Sequence, residues 1–395
     1  MRIMKAIKGL NIQTRPYQVR ICSKVVDMFA GDHINKAGRH CDPAKSVMIE
    51  SPTGSGKTCM AMATIRYMQQ NPQEFGANRI SVIWTAMRRE LLGQANGANV
   101  NLGFNNNVDL LSMFASDSML PKHALNREAG HKVLLAVDEC QHDATDTMSM
   151  LHEKIKPDMI LGLSATPYRT DSLKLCFEHV VKDAGIHQLI RDGYLSQYDH
   201  YTISDWAPST VAEFYLREPE RWGKSLFFFT TFDRCSEFAE LVRRGGRKIE
   251  VVTANTDRES QLKMFESGDV DGLVNMNLLT EGFDCPSLKT AFVRPSGKGC
   301  TIQMAGRVFR LHDDTPRKQV VQCQHTKHTM LKTATPEIQN VWQGGEWRSL
   351  KVNPRILEIS RANSVMAAGI EVKMPEWLSG GKKKKVNRWH GPDGE

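Results

Sequence analysis

An apolar strand, a glycine-bearing turn and a helix follow one another without a gap between Val47 and Gln70, and this junction restricts the possible folds more than any other feature. Val47–Glu50 is the strand, Ser51-Pro-Thr-Gly-Ser-Gly-Lys-Thr58 the turn, and Lys57 to about Gln70 the helix, with Ala61, Met62, Ile65 and Met68 on one face. A strand feeding directly into a helix is the first half of a βαβ unit, whose next strand returns parallel. Further apolar runs at Ile80–Thr85, Val108–Ser112, Val133–Asp138 and Met159–Leu163 continue the rhythm.

The rhythm breaks near residue 186 and starts again. Ser225–Thr230 reads as a strand and Asp233–Arg243 as a helix, followed by strands at Ile249–Thr253, Gly272–Met276 and Thr290–Val293. A chain of 395 residues exceeds what one core usually organises. The expectation is therefore α/β, two tandem units with parallel sheets: residues 1–185, a linker over 186–205, a second unit over 206–348, and an extension over 349–395 that carries the basic run Lys382–Lys385.

The turn after Val47–Glu50 is built to hold phosphate. Glycines let the backbone fold tightly and aim successive N–H groups at anionic oxygens, and a helix N-terminus adds its positive dipole end. Thr53, Gly54, Ser55, Gly56, Lys57 and Thr58 form the candidate cradle of ATP. Lys57 is expected to reach the β- and γ-phosphates and Thr58 to ligate Mg²⁺. Ser51 stands where the strict pattern has Gly. Val133–Asp138 ends in Asp138-Glu139, which supplies the second acidic partner: Asp138 for the metal, Glu139 to orient and deprotonate the attacking water. The next strand delivers Leu163-Ser-Ala-Thr-Pro167, whose Ser164 and Thr166 hydroxyls can couple those carboxylates to the facing unit or simply cap a turn.

Bulk properties restrict the partners. Net charge is +8, which favours polyanions. Nine cysteines lack paired C-x-x-C spacing, so no disulfide framework is expected, and Cys323, His325 and His328 lack the remaining ligand of a zinc site. No run approaches the ~20 apolar residues of a membrane span, and the N-terminus lacks a signal-peptide core, so no membrane partner is expected and a cytoplasmic location is.

With three motifs in this order, the chain resembles a superfamily 2 helicase over about residues 12–312. The resemblance implies two RecA-like domains with a nucleotide cleft between them. Arg15-Pro-Tyr-Gln18 is similar to the family's Q motif, which implies that Arg15 and Gln18 serve adenine recognition. Asp138-Glu139-Cys140-Gln141-His142 is similar to the Asp-Glu-x-His box, with Gln141 in the usual His position. Leu279-Thr-Glu-Gly-Phe-Asp284 resembles motif V, implying Thr280 on nucleic acid and Gly282 and Asp284 near nucleotide. Gln303-Met-Ala-Gly-Arg-Val-Phe-Arg310 resembles motif VI, implying that Gln303 couples and that Arg307 and Arg310 stabilise the γ-phosphoryl transition state. Motif Ia would fall on Thr85–Leu91, with Thr85 and Arg88 on backbone phosphates.

Within the superfamily the motif dialect resembles the DNA-acting branch of type III restriction helicase subunits and phage recombination helicases. It implies a DNA helicase or translocase driven by ATP, in a bacterial or phage-infected cell. RNA is the second partner considered, and a nucleotide-dependent interaction switch without translocation is the reading from a different class. Eighteen residues separate Asp284 from Gln303, too few for a long strand-separating hairpin.

Overall fold

The computed structural model describes residues 2–349 apart from 35–37, 116, 123–126, 143–145, 167–176 and 277–284. Two parallel sheets organise the chain, one per series of apolar runs. The first contains β1 (Ser46–Glu50), β2 (Arg79–Ala86), β3 (Val108–Ser112), β4 (His131–Asp138), β5 (Met159–Ser164) and β6 (His179–Val181), in the spatial order β3-β2-β4-β5-β1-β6. All its pairings are parallel. Because β1 lies between β5 and β6, the turn after β1 and the ends of β4 and β5 share one edge, as open parallel sheets require of a ligand site.

The helices cover both faces. On the first sheet these are α1 (Arg2–Ala6), α2 (Pro16–Ala30), α3 (Lys57–Gln70), α4 (Arg89–Asn101) and α5 (Asp146–Ile155). The sheet interior is apolar throughout: Val47, Met48, Ile49, Leu134, Leu135 and Ala136 have no exposed surface. One core cluster joins α2, α3 and one sheet face, and a second joins the opposite face to Leu151 and Ile155 of α5. Strands buried on both sides cannot alternate polar and apolar residues, which is why they read as unbroken runs.

A short helix, α6 (Ile186–Arg191), leads into the second sheet. That sheet contains β7 (Gln197–Ile203), β8 (Ser225–Phe228), β9 (Ile249–Val251), β10 (Gly272–Asn275), β11 (Thr290–Phe292), β12 (Arg317–Cys323), β13 (Ile338–Gln343) and β14 (Glu346–Ser349). Its order is β14-β13-β7-β12-β11-β8-β10-β9, parallel except for the β13–β14 hairpin. Its helices are α7 (Pro208–Arg217), α8 (Pro219–Trp222), α9 (Phe232–Arg244), α10 (Arg258–Ser267) and α11 (Lys298–Gly306). Phe227, Phe292 and Trp222 pack ring on ring on one sheet face.

One expectation is corrected here. Residues 186–205 are not simply a linker, since they hold α6 and β7, and β7 sits inside the second sheet between β13 and β12. β12 (Arg317–Cys323) lies beyond the apolar runs that end at Thr290–Val293. Both strands bury polar side chains that hide the apolar pattern. His200 is 1% exposed with Nε2 3.1 Å from Gln322 Oε1, and burial pushes its pKa down to about 4. Lys318 is fully buried, and its ammonium donates to Pro286 O (2.7 Å), Leu288 O (2.8 Å) and Thr315 Oγ1 (2.8 Å).

The β13–β14 hairpin turns at Gly344 and Gly345 (φ +65° and +84°), the left-handed pair that a two-residue turn needs. Its cross-strand pair Trp342–Trp347 (5.1 Å between ring centroids) closes the aromatic cluster, with the Arg217 guanidinium 4.7 Å over Trp342. The residues up to Ser349 form one unit. The extension and its lysine run lie outside the described residues.

Candidate nucleotide site and strand-contacting face

The turn after β1 is held by its own short polar side chains. Ser55 donates from Oγ to Pro52 O (2.6 Å) and from N to the same oxygen (3.2 Å), while Ser51 Oγ donates to Ser55 Oγ (2.6 Å). Lys57 opens α3 and donates from Nζ to Ser51 O at 3.2 Å, so its ammonium already lies across the turn. Gly54 and Gly56 are left-handed (φ +81° and +83°). A Cβ at position 56 would stand 2.6 Å from Gln18 Nε2, and one at 54 would stand 3.2 Å from Leu195 Cδ2. Glycine is thus required by conformation at both positions, and a side chain at 56 would also have to displace the Gln18 amide.

The Q-motif residues grip this turn from α2. Gln18 Nε2 donates to Ser55 O at 2.8 Å, and Tyr17 OH donates to the same carbonyl at 2.6 Å. Burial raises the Tyr17 pKa, which keeps the phenol protonated as a donor. Arg15, at the N-cap of α2, lies 5.4 Å over the ring of Tyr194, which also packs on Tyr17 (5.3 Å).

Across the sheet edge, Asp138 ends β4 and Glu139 follows it in a turn. Glu139 has φ +50°, an uncommon left-handed state for a residue other than glycine, and its N–H donates to Asp138 Oδ1 (3.0 Å). Gln141 Nε2 donates to Glu139 Oε2 at 3.0 Å. The Ser164 hydroxyl, at the end of β5, lies 2.7 Å from Gln141 Oε1 and 2.6 Å from Thr166 O, and accepts from Thr166 N (3.0 Å). Ser164 O in turn accepts from Ser51 N at 3.0 Å. A continuous hydrogen-bonded path therefore runs from Glu139 through Gln141 and Ser164 to the turn. All of these side chains are buried. Sequence alone gave no role to Gln141; the signal was its place two residues after Glu139 on a short turn, Cys140–His142.

The residues fit magnesium. Thr58 and Asp138 are hard oxygen donors, and among the described residues no cluster of three or more His, Cys, Asp or Glu could enclose an ion. Oxygen donors of that kind are those that bind magnesium, which takes its remaining ligands from phosphate and water.

The second lobe meets the turn through the end of α11. A Cβ on Gly306 would stand 3.4 Å from Thr53, and a Cβ on Gly54 would stand 3.4 Å from Arg310 Cγ. Ser196, just before β7, holds the segment after α11, donating from N to Phe309 O (2.8 Å) and from Oγ to Arg310 O (2.9 Å). Arg307 is 6% exposed, while Gln303 and Arg310 are half-buried. Arg258 at the start of α10 pairs with Glu90 at the start of α4 (3.4 Å).

The expected phosphate-contacting residues fare differently. Thr85 is fully buried and its hydroxyl finds no partner among the described residues, so it belongs to the wall of β2 and not to an exposed face. The cause is its neighbourhood, since Trp84 and Ala86 are equally buried. Arg88 is half-buried at the N-cap of α4. Thr280, Gly282 and Asp284 lie outside the described residues.

A family profile described as type III restriction enzyme, res subunit, matches residues 11–169, and one described as helicase conserved C-terminal domain matches residues 207–312. The chain is 25% identical over 279 residues to a 51.5 kDa protein of a Lactococcus phage (isolate 7-9), covering 63% of this chain and 59% of that one. It is 23% identical over 321 residues to IRC3 of Saccharomyces cerevisiae, provisionally named an ATP-dependent helicase, covering 68% and 47%. The chain thus spans about half the length of these relatives. Among solved structures, S. cerevisiae Dbp5 bound to RNA and ADP BeF3 superposes with a TM-score of 0.55 at 15% identity, over 82% of this chain and 88% of that one. At that identity the likeness is one of fold. With the two profiles in tandem, one on each sheet, this chain belongs to the superfamily 2 helicases, its first domain being of the type III restriction kind.

Proposed function

We propose that the chain is a DNA-stimulated ATPase that moves along or remodels DNA, hydrolysing ATP between its two RecA-like lobes. The observation that carries this reading is the approach of Gly306 and Arg310 in the second lobe to Thr53 and Gly54 in the first. A nucleotide on the turn would lie where both lobes can touch it, so its presence and its hydrolysis alter how they hold each other.

Each residue then has a task. The backbone of residues 53–56, the α3 N-terminus and Lys57 bind the phosphates, and Gln18 and Arg15 meet the base end. Thr58 and Asp138 would hold magnesium, whose charge offsets that developing on the transferred phosphoryl group. Glu139 orients water and takes its proton, and Gln141 holds the Glu139 carboxylate in place. Arg307 and Arg310 supply guanidinium charge from the second lobe, worth roughly 10³–10⁵ in rate where such residues have been removed. Gln303, Ser164 and Thr166 couple that site to lobe closure, while Arg88, Thr280 and the segments around them contact the strand.

DNA as the polymer is supported by the restriction-type profile over residues 11–169, the motif dialect and the net charge of +8. Dbp5 carries RNA on the same fold, so RNA is the alternative to test beside DNA. No described helix is long and apolar enough to cross a membrane, and the phage relative fits work in the cytoplasm of an infected bacterium. The test is ATP hydrolysis measured alone and with single-stranded DNA, duplex DNA or RNA. Equal rates in all four would favour the interaction switch instead.

A further inference from the structure

Large apolar side chains gather on the first lobe at the end of its edge strand. Phe114 is 65% exposed, Met119 66% and Met150 54%. Scattered singly they would need no account. Here a cavity of about 210 Å³ is lined by Met113, Phe114, Leu120, Met150, Leu151 and Lys154. That volume is more than ten times the ~15 Å³ one water needs, and these described lining side chains are mainly aliphatic, thioether and aromatic.

Its place in the fold points to a strand of nucleic acid. β3 pairs with β2 with Ser112 opposite Ala86, and Met113 N donates to Ala86 O (3.2 Å). The cavity therefore lies at the carboxyl end of the edge strand, beside the segment that continues from β2 into Arg88 and Arg89. Ligands of open parallel sheets collect outside those ends. Phe114 is held in position by a turn, its N–H reaching Ser112 Oγ at 3.3 Å and Ala115 N reaching Ser112 O at 2.9 Å.

We propose that this cavity receives a base of single-stranded DNA, stacked on Phe114, as part of the DNA reading above. An exposed ring accepts the face of any base, which suits a protein that must pass along a strand regardless of sequence. Met113 and Met150 offer flexible thioether walls that adapt to purine or pyrimidine. Lys154 at the cavity and Arg88 and Arg89 on the adjacent segment provide positive charge for the flanking phosphates, while Glu90 in the same turn is engaged by Arg258.

The experiment is equilibrium binding of the full chain to oligothymidylate and to an abasic phosphodiester of equal length, for wild type, Phe114→Ala and Phe114→Trp. Wild type is expected to prefer the base-bearing strand by roughly tenfold or more. Phe114→Ala loses that preference while its abasic affinity, salt slope and unstimulated ATP hydrolysis stay unchanged, and Phe114→Trp keeps it. A preference retained by Phe114→Ala, alongside DNA-stimulated hydrolysis in wild type, overturns the stacking site alone. A wild type that binds neither strand and is not stimulated overturns the DNA reading with it. A wild-type dimer that Phe114→Ala dissolves would give the cavity to a second copy of the chain and also overturn the proposal.

Discussion

The Gln141 side-chain oxygen lies 2.7 Å from the Ser164 hydroxyl, tying the turn after β4 to the end of β5. Through its nitrogen the same amide holds Glu139, so one uncharged side chain both donates and accepts at the centre of the site. Ser164→Ala should leave nucleotide binding near wild type and lower turnover, because Gln141 loses the partner that fixes its rotamer. Gln141→His should add a pH dependence absent from wild type. Imidazole becomes a donor at both nitrogens below about pH 6.5 and can no longer accept from Ser164. A kcat–pH profile for Gln141→His that matches wild type from pH 5.5 to 8 (the range is about one unit either side of that value) would refute this role.

Glu139 and Lys57 should fail in different ways. Glu139→Gln removes water activation only, so ATP affinity persists while turnover falls by about 10²–10⁴. Lys57→Ala removes a phosphate partner in both ground and transition states, so affinity and turnover fall together. Nucleotide titration beside steady-state hydrolysis separates the two. Near-normal turnover in Glu139→Gln would remove it as general base.

Gly56 disfavours any side chain, chiefly through its left-handed backbone. Alanine there would hold a left-handed conformation at about 1–2 kcal/mol and drive its Cβ to 2.6 Å from Gln18 Nε2. Gly56→Ala should therefore lose nucleotide affinity, by a smaller factor in a Gln18→Ala background than in wild type. An equal factor in both backgrounds would mean that the Gln18 contact does not matter.

Histidine 200 should make the second sheet acid-sensitive. Its pKa falls from the ordinary 6.5 to about 4 by burial, so the folded state resists the proton that the unfolded chain accepts. Its stability is fully present above pH 6.5 and declines as pH drops toward 4, by about 3 kcal/mol in all. Urea unfolding across that window should show the decline in wild type and a weaker one in His200→Gln. Equal slopes would place the acid sensitivity elsewhere.

The candidate nucleotide site was legible because β1, β4 and β5 are buried on both faces and lead straight into polar residues that their strands do not need. Ser51–Thr58, Asp138-Glu139 and Ser164–Thr166 stand out against such runs, and sheet order brings them to one edge. What escaped was hidden by partners far along the chain. β7 and β12 carry Asp199, His200, Lys318 and Gln322, polar residues that look exposed until their cross-strand partners are known. Thr85 looked like a surface hydroxyl and is buried because β2 is covered to its last residue. The contact of Gln18 with Ser55 depends on how α2 crosses the turn, which no spacing within Arg15–Gln18 specifies.

The most direct test of the account is the rate of ATP hydrolysis by the purified chain with and without single-stranded DNA, in wild type and in Arg307→Ala. The two-lobed site predicts that DNA accelerates wild-type hydrolysis, that RNA does so less, and that Arg307→Ala abolishes the acceleration while nucleotide still binds. A wild-type rate indifferent to DNA, or an Arg307→Ala variant stimulated as strongly as wild type, would contradict it.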